Sequence, residues 1–116
     1  MQKTSTRALY QYWNLIRGAR SAPERKDIDP TKIREALSNT FILELDETDG
    51  FSFRLAGSHL CTAYGRELKR ESFSGLWHER DTDAVNTLLR AVTEDHAVAL
   101  VTFQGTTAAQ TKLSFE

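Results

Sequence analysis

The chain has 116 residues, 40% of them hydrophobic and 27% charged, with a formal net charge of −1 and a pI near 6.3. That length suits one folded domain, and the composition excludes disorder and fibre. The charge offers no field that would draw the chain to phosphate backbones or anionic lipid, so neither nucleic acid nor a membrane is an expected partner.

A single cysteine, Cys61, cannot close an internal disulfide, and the opening MQKTSTRALYQYW lacks the uninterrupted apolar core of a signal peptide. The apolar runs are far too short to span a bilayer. A cytoplasmic protein is expected.

Residues 5 to 17 read as an amphipathic helix, because Leu9, Trp13 and Ile16 recur at i, i+4 and i+7 with Tyr12 beside them, and Gly18 follows as a stop. Such a helix must bury Trp13 against its own domain or against another subunit. In the second case Leu9, Tyr12, Trp13 and Ile16 form a homodimer face. Residues 18 to 27 are a polar loop in which Arg20, Arg25 and Lys26 follow closely on Arg17. Glu24 and Asp27 break its positive field, and no aromatic is interleaved for base stacking, so it reads as a solvated connector. A short second helix follows, capped by Asp29, with Pro30 at its first position and Ile28 placed to staple against Ile33. Ile33 and Leu37 make its expected buried edge. The chain thus divides into a helical extension, 1–39, and a core, 40–116.

In residues 41 to 45, Phe41, Leu43 and Leu45 share one face, and Phe51, Phe53 and Leu55 alternate in the same way with Ser52, Arg54 and Ala56. The turn Glu47-Thr48-Asp49-Gly50 joins them as a hairpin. Ser58 is the expected N-cap of a short helix that Gly65 closes in the left-handed conformation, before a connector reaches Trp77. Any pocket is expected along this stretch, Phe51 to Trp77. The acids of HERDTD then suit a helix N-terminus, and Val85, Leu88, Leu89 and Val92 place a helix at 82–94. Residues 97 to 105 read as a strand, with Ala99, Val101 and Phe103 opposite Val98, Leu100 and Thr102; a turn follows, and Gln110 to Glu116 starts another strand.

His59 and Cys61 are two apart, so on a helix they point about 200° from each other and cannot act as a nucleophile and its base. There is no phosphate loop, G-x-S-x-G elbow or H-E-x-x-H pattern. His78 with Glu79, Asp81 and Asp83 reads as helix capping rather than a metal site. No catalytic or metal-binding residue is expected; the enzymatic alternative rests on His78 with Asp81 or Asp83.

Tyr12-Trp13, Arg17-Gly18-x-Arg20, Pro23-x-Arg25-x-Asp27-Ile28-Asp29-Pro30, Phe53-Arg54-Leu55-Ala56-Gly57, Tyr64-Gly65-Arg66-Glu67-Leu68 and Phe73 to Trp77 together resemble a PAS-like family of small bacterial proteins, common in alphaproteobacteria. The likeness covers almost the whole chain. It implies an α+β fold, a PAS-like antiparallel sheet with flanking short helices and an N-terminal amphipathic helix. In the usual PAS sheet the last strand lies in the middle, and this chain ends inside what would be the fourth. The final central strand is therefore expected to be absent, either because the sequence is a fragment or because a partner chain supplies it.

The resemblance also implies an apolar cavity lined by Leu55, Cys61, Tyr64, Phe73, Trp77, Leu88, Val92, Val101 and Phe103, although the same residues would serve to fill a core. Flavin photochemistry is not expected, because the segment from His59 to Tyr64 lacks the reactive-cysteine pattern Asn-Cys-Arg-Phe-Leu-Gln of the flavin-binding branch. Haem needs an axial ligand, and His59, His78 and His96 all read as surface residues. The implied function is a sensory or signalling module, with itself or another signalling protein as partner and a small apolar molecule as the possible ligand. A constitutive interaction scaffold with a filled core is the alternative.

Overall fold

In the computed structural model, which describes residues 3–45, 50–95 and 98–115, the chain opens with α1, Thr4–Arg17. Gly18 ends it with a φ of 59°, a conformation that costs a residue without a Cβ little. No α1 residue is fully buried. The loop that follows is less free than its charge suggests. In the 3-10 turn Arg25–Asp27, Glu24 and Asp27 cap each other's backbone, and Arg20 pairs with Asp27 at 3.0 Å. Asp29 accepts the Thr31 N–H at 3.0 Å and Pro30 stands at the first position, as expected. The short helix itself divides into a 3-10 turn, Pro30–Ile33, and a single α turn, α2, Arg34–Leu37. Ile33 and Ala36 are buried, whereas Leu37 is only half-buried.

Strands β1, Phe41–Leu45, and β2, Phe51–Ala56, pair antiparallel. Their turn, 46–49, lies outside the described residues. Phe51 and Phe53 are buried because the second edge of β2 is also occupied. The Phe53 N–H donates to the Glu71 carbonyl at 3.0 Å, the Arg70 N–H to the Phe53 carbonyl at 2.6 Å, and the Phe73 N–H to the Phe51 carbonyl at 2.9 Å. Residues 70 to 73 thus serve as a third strand in all but length, entered through Arg70 at φ 72°.

The β1–β2 register slips once, and this decides where Leu55 goes. Leu43 pairs with Phe53 but Ile42 pairs with Leu55, so Arg54 is a bulge. Cross-strand partners share a face and neighbours along β1 do not, so Leu55 is turned to the face opposite Phe53. Strict alternation would have put them together; Leu55 is instead 40% exposed.

Helix α3, Ser58–Tyr64, is capped by Gly57 and not by Ser58. A Cβ at position 57 would stand 2.3 Å from the Ser38 carbonyl oxygen, so only glycine lets the end of α2 approach this closely. The Gly57 N–H donates to the Thr40 carbonyl at 2.8 Å and the His59 N–H to the Ser38 carbonyl at 2.9 Å, which locks the two segments together. Gly65 closes α3 in the left-handed region, as expected.

A 3-10 turn, Ser74–Leu76, delivers Trp77 to α4, Glu79–Glu94, which starts three residues before the expected 82. Glu79 and Asp81 occupy its first turn, where carboxylates are favoured. Val85 is its buried anchor, with Leu88 and Leu89 half-buried and Val92 exposed.

The last hairpin joins β3, Phe103–Thr106, to β4, Lys112–Phe115. The expected strand over 97–105 is therefore shorter and later. Val98, Leu100 and Val101 are exposed and outside any ladder, and β-propensity does not hold a strand without a partner to pair with. His96 and Ala97 lie outside the described residues.

The fold is mixed α+β, as expected. Its strands form two separate two-stranded ladders among the described residues, rather than one sheet. Among the described residues the buried hydrophobic core is small: Ile33, Ala36, Phe51, Phe53, Leu68 and Val85.

Candidate functional site

A chain of rings connects the two hairpins. Phe41 and Phe53 meet edge to face at 5.5 Å between centroids, and both contact Phe73, at 5.5 and 5.6 Å. Phe73 meets Trp77 at 5.9 Å, Trp77 meets Phe103 at 4.8 Å, and Phe103 stacks on Phe115 at 5.2 Å. These are the offset and edge-on geometries that aromatic pairs prefer. One backbone bond reinforces the link, from the Ala108 N–H to the Ala63 carbonyl at 2.8 Å.

Of the residues expected to line one cavity, Phe73, Trp77 and Phe103 are brought together here, and their rings touch. Leu88 is half-buried on α4, while Val92 and Val101 stand in solvent, at 40% and 36% exposure. Cys61 and Tyr64 are half-buried on α3. The Cys61 thiol reaches the Ala56 carbonyl at 3.8 Å and Glu67 Oε1 at 3.5 Å. Burial raises the Tyr64 pKa above the usual phenol value, and the positive charge of Arg66 opposes that rise. His59 turns elsewhere, its Nδ1 lying 3.0 Å from Asn39 Oδ1 and 3.4 Å from Ser38 Oγ. Cys61 and His59 are thus separately engaged. Among the described residues no three His, Cys, Asp or Glu side chains converge as metal ligands would.

Leu55 lies in a different place, an open cleft of about 490 Å³ between the 30–38 segment and the junction of β2 with α3. Pro30, Leu37 and Ala56 share its apolar wall, and Arg34, Ser38 and Ser58 supply polar groups. Arg34 carried no local pattern in the sequence; the cleft arises from segments about twenty residues apart.

The α1 face is positioned by hydrogen bonds from the segment after it. The Tyr12 hydroxyl accepts the Asp29 N–H at 2.8 Å and donates to the Asp27 carbonyl at 3.4 Å. Leu9, Tyr12, Trp13 and Ile16 are all half-buried, so the chain's own 25–37 segment covers this stripe incompletely. Trp13 stacks with Tyr10 at 6.0 Å and lies under the Arg17 guanidinium at 5.4 Å. Leu15 stands 78% exposed beside them.

The carboxyls that hold this region are acidic. Asp27 titrates below 3.8, chiefly because it accepts the Glu24 N–H, with the Arg20 hydrogen bond and the charges of Arg20 and Lys26 adding to the effect against some desolvation. Asp29 does so chiefly through the Thr31 hydroxyl, then the Thr31 N–H.

Among the described residues no helix is long and apolar enough to cross a membrane. A family model described as PAS domain matches residues 1–116. No curated protein and no solved structure matches the chain.

Proposed function

Because the chain belongs to the PAS domain family, a family of sensory and signalling modules, we propose that it is a non-catalytic signalling module whose output is a change in self-association through α1. One observation carries this reading: α1 bears an apolar and aromatic stripe, Leu9, Tyr12, Trp13 and Ile16, of which no residue is fully buried. An incompletely covered stripe of this kind gains by being covered further, and a second α1 offers a complementary surface. The separate engagement of His59 and Cys61 supports a role without nucleophilic catalysis. The single cysteine supports a reducing, cytoplasmic setting.

Sedimentation tests the reading directly. The wild-type chain is expected to be a dimer, and the double variant Trp13→Glu, Ile16→Glu a folded monomer. A wild-type monomer, or a dimer that survives both substitutions, would remove the proposal.

A second reading has its own support. Phe73, Trp77 and Phe103 pack ring on ring, at 5.9 and 4.8 Å between centroids, which favours a filled core and a constitutive scaffold over an apolar cavity at this point. Release of a small molecule from the natively purified protein on denaturation, detected by mass spectrometry, would count against that second reading.

A further inference from the structure

The cleft beside Leu55 has features that the ring chain and the α1 face do not use. Its wall is aliphatic, made by Pro30, Leu37, Leu55 and Ala56, and one cation, Arg34, stands at it. Several other arginines of the chain are paired with carboxylates: Arg20 with Asp27, Arg54 with Glu44, Arg66 with Glu71 and Arg80 with Asp81. Arg34 has no such partner among the described residues. Asp29, adjacent to Pro30 in sequence, is already engaged by the Thr31 N–H and hydroxyl. Glu35, next to Arg34, lies on a separate groove against the start of α1.

We propose that this cleft binds a small amphipathic carboxylate, with its aliphatic body on Leu37, Leu55 and Ala56 and its carboxylate on the Arg34 guanidinium. The volume, about 490 Å³, falls within the usual range for small-molecule sites. Guanidinium stays charged at any working pH and presents paired donors that match a carboxylate. A single cation over an aliphatic wall favours an anion with an apolar body over a cation of the same shape. The wall is preformed, because Gly57 admits no side chain against the Ser38 carbonyl and two backbone hydrogen bonds fix its two halves. Preformed walls spare the ligand an ordering cost. This proposal stands apart from self-association through α1 and does not depend on it.

The test titrates the full chain with decanoate, and with decanol as the uncharged probe, following backbone amide shifts. Decanoate is expected to saturate one site, with the largest shifts at Leu37, Ala56 and Ser58. Arg34→Gln should weaken decanoate about fivefold, a surface-pair magnitude, and leave decanol unchanged. Leu55→Ser should weaken both, and Arg25→Gln neither. Equal decanoate affinity for wild type and Arg34→Gln, shifts centred away from the cleft, or no saturable binding would each overturn it.

Discussion

Leu55 and Phe53 stand on opposite faces of β2, separated by the bulge at Arg54. Their exposures follow from this: Phe53 is 1% exposed and in contact with Phe41 and Phe73, whereas Leu55 is 40% exposed. Phe53→Ala should therefore destabilise the chain by about 3–5 kcal/mol. Leu55→Ser should fall within about 0.5 kcal/mol, as surface substitutions do. Urea unfolding of the two variants checks the contrast, and equal losses would contradict the assigned faces.

Gly57 sits where a Cβ would meet the Ser38 carbonyl oxygen at 2.3 Å and the Leu37 carbonyl oxygen at 2.7 Å. Both atoms are backbone, so neither can swing aside. Gly57→Ala, despite a φ open to any residue, should cost about 1–3 kcal/mol as an overpacking defect. A lowered Tm is the expected reading, and Ser58→Ala should leave Tm nearly unchanged, since the Ser58 side chain caps nothing.

Tyr12 ties α1 to the 25–29 segment through its hydroxyl. Tyr12→Phe keeps the ring and removes both hydrogen bonds, so it should cost about 1 kcal/mol. Hydrogen exchange should then speed up at the Asp29 amide, which loses its acceptor, and much less in β2.

Acid should unfold the protein partly through Asp27 and Asp29. Both titrate below their ordinary 3.8 when folded, so near that pH the unfolded chain binds more protons than the folded one. Their contribution is complete above 3.8 and disappears as pH falls through the lower folded values. Asp27→Asn and Asp29→Asn should flatten the acid limb of a stability–pH curve and leave the neutral region shaped as before.

Local pattern revealed α1, the β1–β2 hairpin, the Asp29-Pro30 helix start and the body of α4, because each rests on periodicity or on a cap within a few residues. What escaped it depends on contacts between distant segments. The bulge at Arg54 changes no residue type, so Leu55 reads as a partner of Phe53 although the register sends it elsewhere. Ser58 reads as an N-cap because serine is good at that position, while the close approach of Ser38 reserves the position before it for glycine. Val98, Leu100 and Val101 have strand-forming side chains but no ladder. The nine expected lining residues share apolar character, and three of them, Phe73, Trp77 and Phe103, meet, because ring contacts are decided by the path between the hairpins.

The chain has two tryptophans, Trp13 and Trp77. One is on α1 beneath a guanidinium and the other sits between Phe73, on the segment that pairs with β2, and Phe103 of β3. The joint between the two ladders is therefore visible to light. In a Trp13→Phe background, emission comes from the indole at that joint, and separation of the hairpins would wet it and shift its colour to the red while the backbone signal in the far ultraviolet barely changed.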